Sequence, residues 1–201
     1  MEEFNAGGLL LRAAKLPAWK QVMFMVYCCE RMIPNYRCFS LESHFGDEQT
    51  LRQALDGIWA WIETDDLPPD IADIVAACEH QAPDTEMFSS DYTSAALDAA
   101  AAIAITASAT AIFGSENLLD VASLSRDTVD VFVQLRSGLD ANDPSLEETI
   151  LGSGLMQNEL CFQRESLELL SAITGERASV ALGLRPMWSN IAIGSTGCST
   201  R

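Results

Sequence analysis

Apolar residues in this chain recur every three or four positions and show no sustained alternation, a rhythm that restricts the chain to packed helices. Trp19, Met23, Val26 and Glu30 step along one helical face. Leu51, Leu55, Ile58 and Ile62 form a second stripe, with Asp47 placed to cap its helix. Ile71, Val75 and Cys78 mark a short helix, and a longer one is predicted from about Thr93 to Phe113, ending at Gly114. Leu118, Ala122, Ser125, Val129 and Phe132 run beside a second stripe of Val121, Leu124, Val131 and Leu135, the signature of a widely buried helix. Gly138 fits the C-terminal end of that helix. Leu155, Phe162 and Leu169 recur every seven residues with Leu160 and Leu167 alongside, and Gly152 and Gly154 weaken the start of that element. Proline should end or kink the first long helix at Pro34 and stop the last one ahead of Pro186. The expectation is an all-α fold, a single compact bundle of about six to eight helices with mostly antiparallel neighbours. It spans residues 1–193 and leaves 194–201 as a loose C-terminal tail.

Charge is distributed unevenly. Of 201 residues, 12 are Lys or Arg and 29 Asp or Glu, a net charge of −17. Between residues 53 and 125 there is no Lys or Arg at all. Such a surface repels phosphate backbones and anionic lipid, which argues against nucleic-acid and membrane-surface binding. It is either a solvated face that maintains solubility or a contact face for a basic partner protein. The apolar run from Ala99 to Phe113 follows Asp98 directly and falls short of the roughly 20 residues a membrane span needs. Its Ala, Ser and Thr content suits a close-packed core helix. The acidic start, Met1-Glu2-Glu3, lacks the basic-then-apolar pattern of an export signal, so the cytoplasm is the expected compartment.

Recognisable catalytic patterns are missing. The sequence has no phosphate-binding Gly-x-x-x-x-Gly-Lys loop, no dinucleotide-binding glycine motif and no His-Glu-x-x-His. The six cysteines are irregularly spaced with no Cys-x-x-Cys, which argues against a disulfide framework, and with only His44 and His80 a metal site is not expected. No cofactor is implied. Cys28 and Cys29 read as buried, inert thiols.

The main local anomaly is Glu30, a carboxylate on an apolar helix face that must reach past the helix end to solvent or find a donor. Arg31, Arg37 and Arg52 are the candidates. Arg52 lies beside the Leu51–Leu55 stripe, so a Glu30–Arg52 pair would join two helices.

The string WKQVMFMVYCCERMIPNYRCF from Trp19, then Phe45-Gly46-Asp47, Leu55-Asp56-Gly57-Ile58-Trp59 and Ser189-Asn190-Ile191-Ala192-Ile193, resembles the bacterial YjaG-like family, domain of unknown function 416. The resemblance implies a compact all-helical cytoplasmic protein and supplies no activity. It draws attention to Glu30, Arg31, Pro34, Asn35, Tyr36, Asp47, Arg52 and Asp56, as either a site or a packing corner. The leading functional expectation is a non-catalytic protein–protein interaction role, with a basic partner or through self-association. The alternative is a small-molecule binder or enzyme with a carboxylate-centred site near Glu30, Asp47 and Arg52.

Overall fold

The computed structural model describes residues 3–199, and residues 1, 2, 200 and 201 lie outside it. Nine α-helices follow one another among the described residues. These are α1 (Ala6–Ala13), α2 (Ala18–Ser43), α3 (Glu48–Thr64), α4 (Ile71–Glu79), α5 (Thr93–Ala111), α6 (Ser115–Ser137), α7 (Leu146–Gly152), α8 (Gly154–Ala172) and α9 (Arg177–Trp188). There is no strand among them beyond a single antiparallel bridge between Ile193 and Ser199. The fold is all-α, as the periodicity implies. The count comes to nine because the short α1 forms and because Ser153 separates α7 from α8.

The centre is α2, which packs against α3, α5, α6, α8 and α9. Most of its length is buried, including Phe24, Met32, Tyr36 and Phe39. Across it lies α5, whose buried residues are chiefly Ala99, Ala100, Ala102, Ile103 and Ala107. Small side chains let the two backbones approach closely. By length and composition α5 would suffice to cross a bilayer, yet 61% of that stretch is buried inside the protein. A second, smaller core joins Val129 and Val133 of α6 to Leu146 and Ile150 of α7 and Met156 and Leu160 of α8.

Three expectations are corrected. First, α2 does not stop at Pro34, nor α9 at Pro186; both prolines lie inside their helices. Pro34 offers no N–H to the carbonyl four residues back. The next carbonyl, Arg31 O, accepts from the Ser195 amide at 3.1 Å, so tertiary contacts carry the helix through. Second, Leu155, Phe162 and Leu169 lie on the flank of α8, Phe162 and Leu169 being exposed. The buried face is instead Met156, Glu159, Leu160, Gln163, Ser166, Leu167 and Leu170. Third, residues 194–199 are not a loose tail. Gly194, Ser195, Thr196 and Cys198 are buried against α2.

Two ionisable groups are held within this frame, Lys20 buried and Asp98 half-buried. Lys20 is buried near the end of α8 and donates to Leu170 O at 2.7 Å and Ile173 O at 2.6 Å. Carbonyls at a helix C-terminus have no helical donor, so the ammonium replaces the missing N–H groups. On α5, Asp98 accepts from the Thr128 hydroxyl of α6 at 2.9 Å, and burial pushes its carboxyl up to about 6. A carboxyl raised by burial favours folding in its neutral form. Its contribution is full below the unfolded value of 3.8 and is lost as pH rises through about 6. Asp98→Asn is therefore expected to stabilise the protein by about 1–2 kcal/mol at pH 8. The gain should shrink towards zero below pH 3.8, as read from urea unfolding across pH.

Candidate functional site

The polar residues of α2 from Glu30 to Tyr36 organise four separate contacts. Glu30, 2% exposed, accepts from Arg52 Nη1 and Nη2 at 2.5 and 2.7 Å, so the expected inter-helix pair forms. Its Oε1 also accepts from Trp59 Nε1 of α3 and from Ser189 Oγ after α9, each at 3.0 Å. Four donors are the full complement a carboxylate takes. The pair continues outward: Arg52 Nε lies 3.6 Å from Asp56, which accepts from Arg185 of α9 at 3.0 Å, and Arg185 also donates to Glu63 at 3.1 Å. Glu30, Arg52 and Asp56 therefore belong to one ion-pair chain joining α2, α3 and α9.

Asp47 is not part of it. Its side chain caps α3 by accepting from the Gln49 amide at 2.9 Å, and its own amide donates to Gln81 at 2.8 Å. Tyr36 serves the same corner, donating to Gln81 O at 2.9 Å, with burial pushing its phenol up to about 12. Its hydroxyl sits so close to Gly46, at φ +78°, that a Cβ there would collide with it.

On the adjoining face of α2, Arg31 donates through Nε and Nη2 to one oxygen of Glu159, at 3.0 and 2.8 Å. Glu159 is fully buried, and its other oxygen accepts from Ser125 of α6 at 2.6 Å and Gln163 at 3.1 Å. The Arg31 guanidinium also lies 4.0 Å from the Phe162 ring centre, within cation–π range. Asn35 holds the C-terminal segment, donating to Ser195 Oγ and accepting from Thr196 Oγ1, both at 2.8 Å. A Cβ on Gly194 would collide with Asn35 Oδ1. Cys38 and Cys198 form a disulfide between α2 and the same segment, although the irregular cysteine spacing argues against such pairing. Cys28 and Cys29 are buried thiols as expected, and burial pushes Cys29 up to about 12.

Beside Arg31 opens a cleft of about 600 Å³. Tyr27, Phe162, Met187, Trp188 and Ile193 line it together with the backbone of the C-terminal segment. Phe162, Met187 (67% exposed) and Ile193 stand exposed at it. Neither this cleft nor Glu159 is marked in the sequence by a motif. The available signal is the buried face of α8, where Glu159, Gln163 and Ser166 interrupt an apolar stripe at helical spacing. No group of His, Cys, Asp and Glu among the described residues could hold a metal ion.

These features define an all-helical protein built on a central helix with buried ion pairs, beside an apolar cleft. The chain belongs to the DUF416 family, described as a protein of unknown function, whose model matches residues 9–197. It is 28% identical to the uncharacterised protein YjaG of Escherichia coli over 176 residues, 87% of this chain and 88% of that one. An uncharacterised Haemophilus influenzae protein is 26% identical over 178 residues, 87% of this chain and 88% of the other. A crystal structure of a DUF416 family protein from Shewanella baltica superposes with a TM-score of 0.86 at 26% identity, covering 95% of this chain and 98% of that one.

Removing one member of a fully buried pair strands the other charge. Arg31→Met is expected to lower stability by about 3–5 kcal/mol, and Arg31→Met with Glu159→Met to recover most of that loss. Denaturant midpoints of the two variants against the parent check both outcomes.

Proposed function

We propose that this protein works by binding rather than catalysis, and that the apolar cleft receives a segment of a partner protein. The observation that carries this reading is the cleft itself, about 600 Å³ and edged by exposed Phe162, Met187 and Ile193. Contiguous exposed apolar surface of this kind marks an interaction site, and methionine adapts to varied partner shapes. The carboxylates that would serve an enzyme are already committed: Glu30 and Glu159 to buried donors, Asp47 to a helix cap.

The partner is basic. Asp66, Asp70, Asp73, Glu79 and Glu86 are exposed and make no ion pair among the described residues. Arg177, Arg185 and Arg136 offset Asp65, Asp56, Glu63 and Asp91 of the acidic segment, which leaves these five carboxylates as its uncompensated charge. Uncompensated charge steers an oppositely charged protein during encounter and is screened by salt. The same reading keeps the protein in the cytoplasm, away from nucleic acid and anionic lipid.

A photo-crosslinking residue placed at Met187 or at Phe162 in the native host tests this. Both positions should yield the same adduct with one basic protein, absent when the residue is placed at exposed Leu41. The adduct should weaken several-fold between low and moderate salt. Adducts formed only with a second copy of this chain, or none beyond the Leu41 control, would overturn the reading of a basic partner.

A further inference from the structure

One wall of the cleft is not helical. Ile193, Gly194, Ser195 and Gly197 form it, within a strap that follows α9 and turns back along α2. The strap makes little regular structure of its own: Gly194 N donates to Cys198 O at 2.9 Å, next to the Ile193–Ser199 bridge. Its hold on α2 comes from Arg31 O, from the Asn35 amide and from one covalent bond, Cys38–Cys198. That bond joins residues 160 apart in sequence. Cys38 is 8% and Cys198 6% exposed, and the residues flanking Cys198, Gly197 and Ser199, are exposed.

We propose that Cys38–Cys198 is a redox latch on this strap, so that a thiol reductant loosens the strap and changes binding in the cleft beside it. The inference rests on the binding role given to the cleft. In the opening reaction, a thiolate of a glutathione-class or dithiol reductant attacks Cys198 Sγ. The S–S bond breaks, a mixed disulfide forms, and the Cys38 thiolate leaves and takes up a proton. A second reductant thiolate attacks the mixed disulfide and releases Cys198, which is protonated in turn. Two electrons and two protons pass to the protein, and the reductant departs as its disulfide. The buried thiols Cys28, Cys29 and Cys78 do not compete, because burial raises the pKa of each and keeps it protonated. Once the latch opens, only hydrogen bonds and packing against α2 hold the strap, and local opening becomes more frequent.

Hydrogen exchange on the full-length protein, oxidised and then treated with dithiothreitol, reads the strap directly. Amides from 194 to 198 should exchange about tenfold faster after reduction, with α5 unchanged. Cys198→Ser should show the fast exchange with or without reductant, and Cys161→Ser should keep the reductant response. In parallel, the fluorescent probe 1-anilinonaphthalene-8-sulfonate should bind the oxidised protein, lose affinity in Phe162→Ser, and bind several-fold differently after reduction. Strap exchange indifferent to both dithiothreitol and Cys198→Ser would overturn the latch, whatever the probe does. Faster strap exchange with unchanged Phe162-dependent probe binding would overturn its control of the cleft. A probe indifferent to Phe162→Ser would instead strike at the binding role, leaving the strap's redox response in place.

Discussion

Glu30 on α2 and Glu159 facing it from α8 are both out of contact with water, and each is neutralised by an arginine and further donors. The arrangement of the surrounding helices follows from keeping those charges paired. Arg52 and Trp59 fix α3 against α2, Ser189 fixes the exit from α9, and Ser125 ties α6 to α8 through Glu159. Buried pairs of this kind add little net stability over apolar packing, while an unpaired member is costly. Their effect is therefore to penalise alternative helix registers. A bundle made only of leucine and alanine faces would slide more freely.

The same logic explains the C-terminal strap. Pro34 interrupts the hydrogen-bond ladder of α2, and the strap fills the position beside it, with Ser195 donating to Arg31 O and Asn35 gripping Ser195 and Thr196. Gly194 is the residue that permits this approach, because Asn35 Oδ1 occupies the space of a side chain. A helix imperfection and a short irregular segment thus complete each other, and their junction forms one wall of the apolar cleft.

Much of this was legible in the sequence, and the gaps have physical causes. Helix type follows from periodicity, and the stripes at Leu51–Ile62 and Leu118–Phe132 are buried as read. The Glu30–Arg52 pair was legible because a carboxylate on an apolar face demands a donor and an arginine lay on the next helix. Pro34 misled because local rules omit the contacts that sustain a buried helix. On α8 the heptad of Leu155, Phe162 and Leu169 outshone the true face, where Glu159 and Gln163 disguise the apolar pattern. The strap was illegible for a simpler reason: Gly, Ser and Thr carry no apolar signal, and the groups that hold it lie 160 residues away. The eight residues singled out divide between the ion-pair chain, the Tyr36–Gly46 corner, the Arg31–Glu159 pair and the strap, rather than converging on one point.

The order of these partners along the chain bears on synthesis. α2 leaves the ribosome early, carrying Lys20, Glu30, Arg31 and Asn35. Arg52 follows soon after, but Glu159, Leu170 and Ser195 emerge near the end. At about 5–20 residues per second, α2 waits several seconds for those partners. Until then, burying its apolar face would also bury charges with nothing to neutralise them. Folding of the centre is thereby coupled to completion of the chain, and a polypeptide truncated before α8 lacks the carboxylate that Arg31 requires.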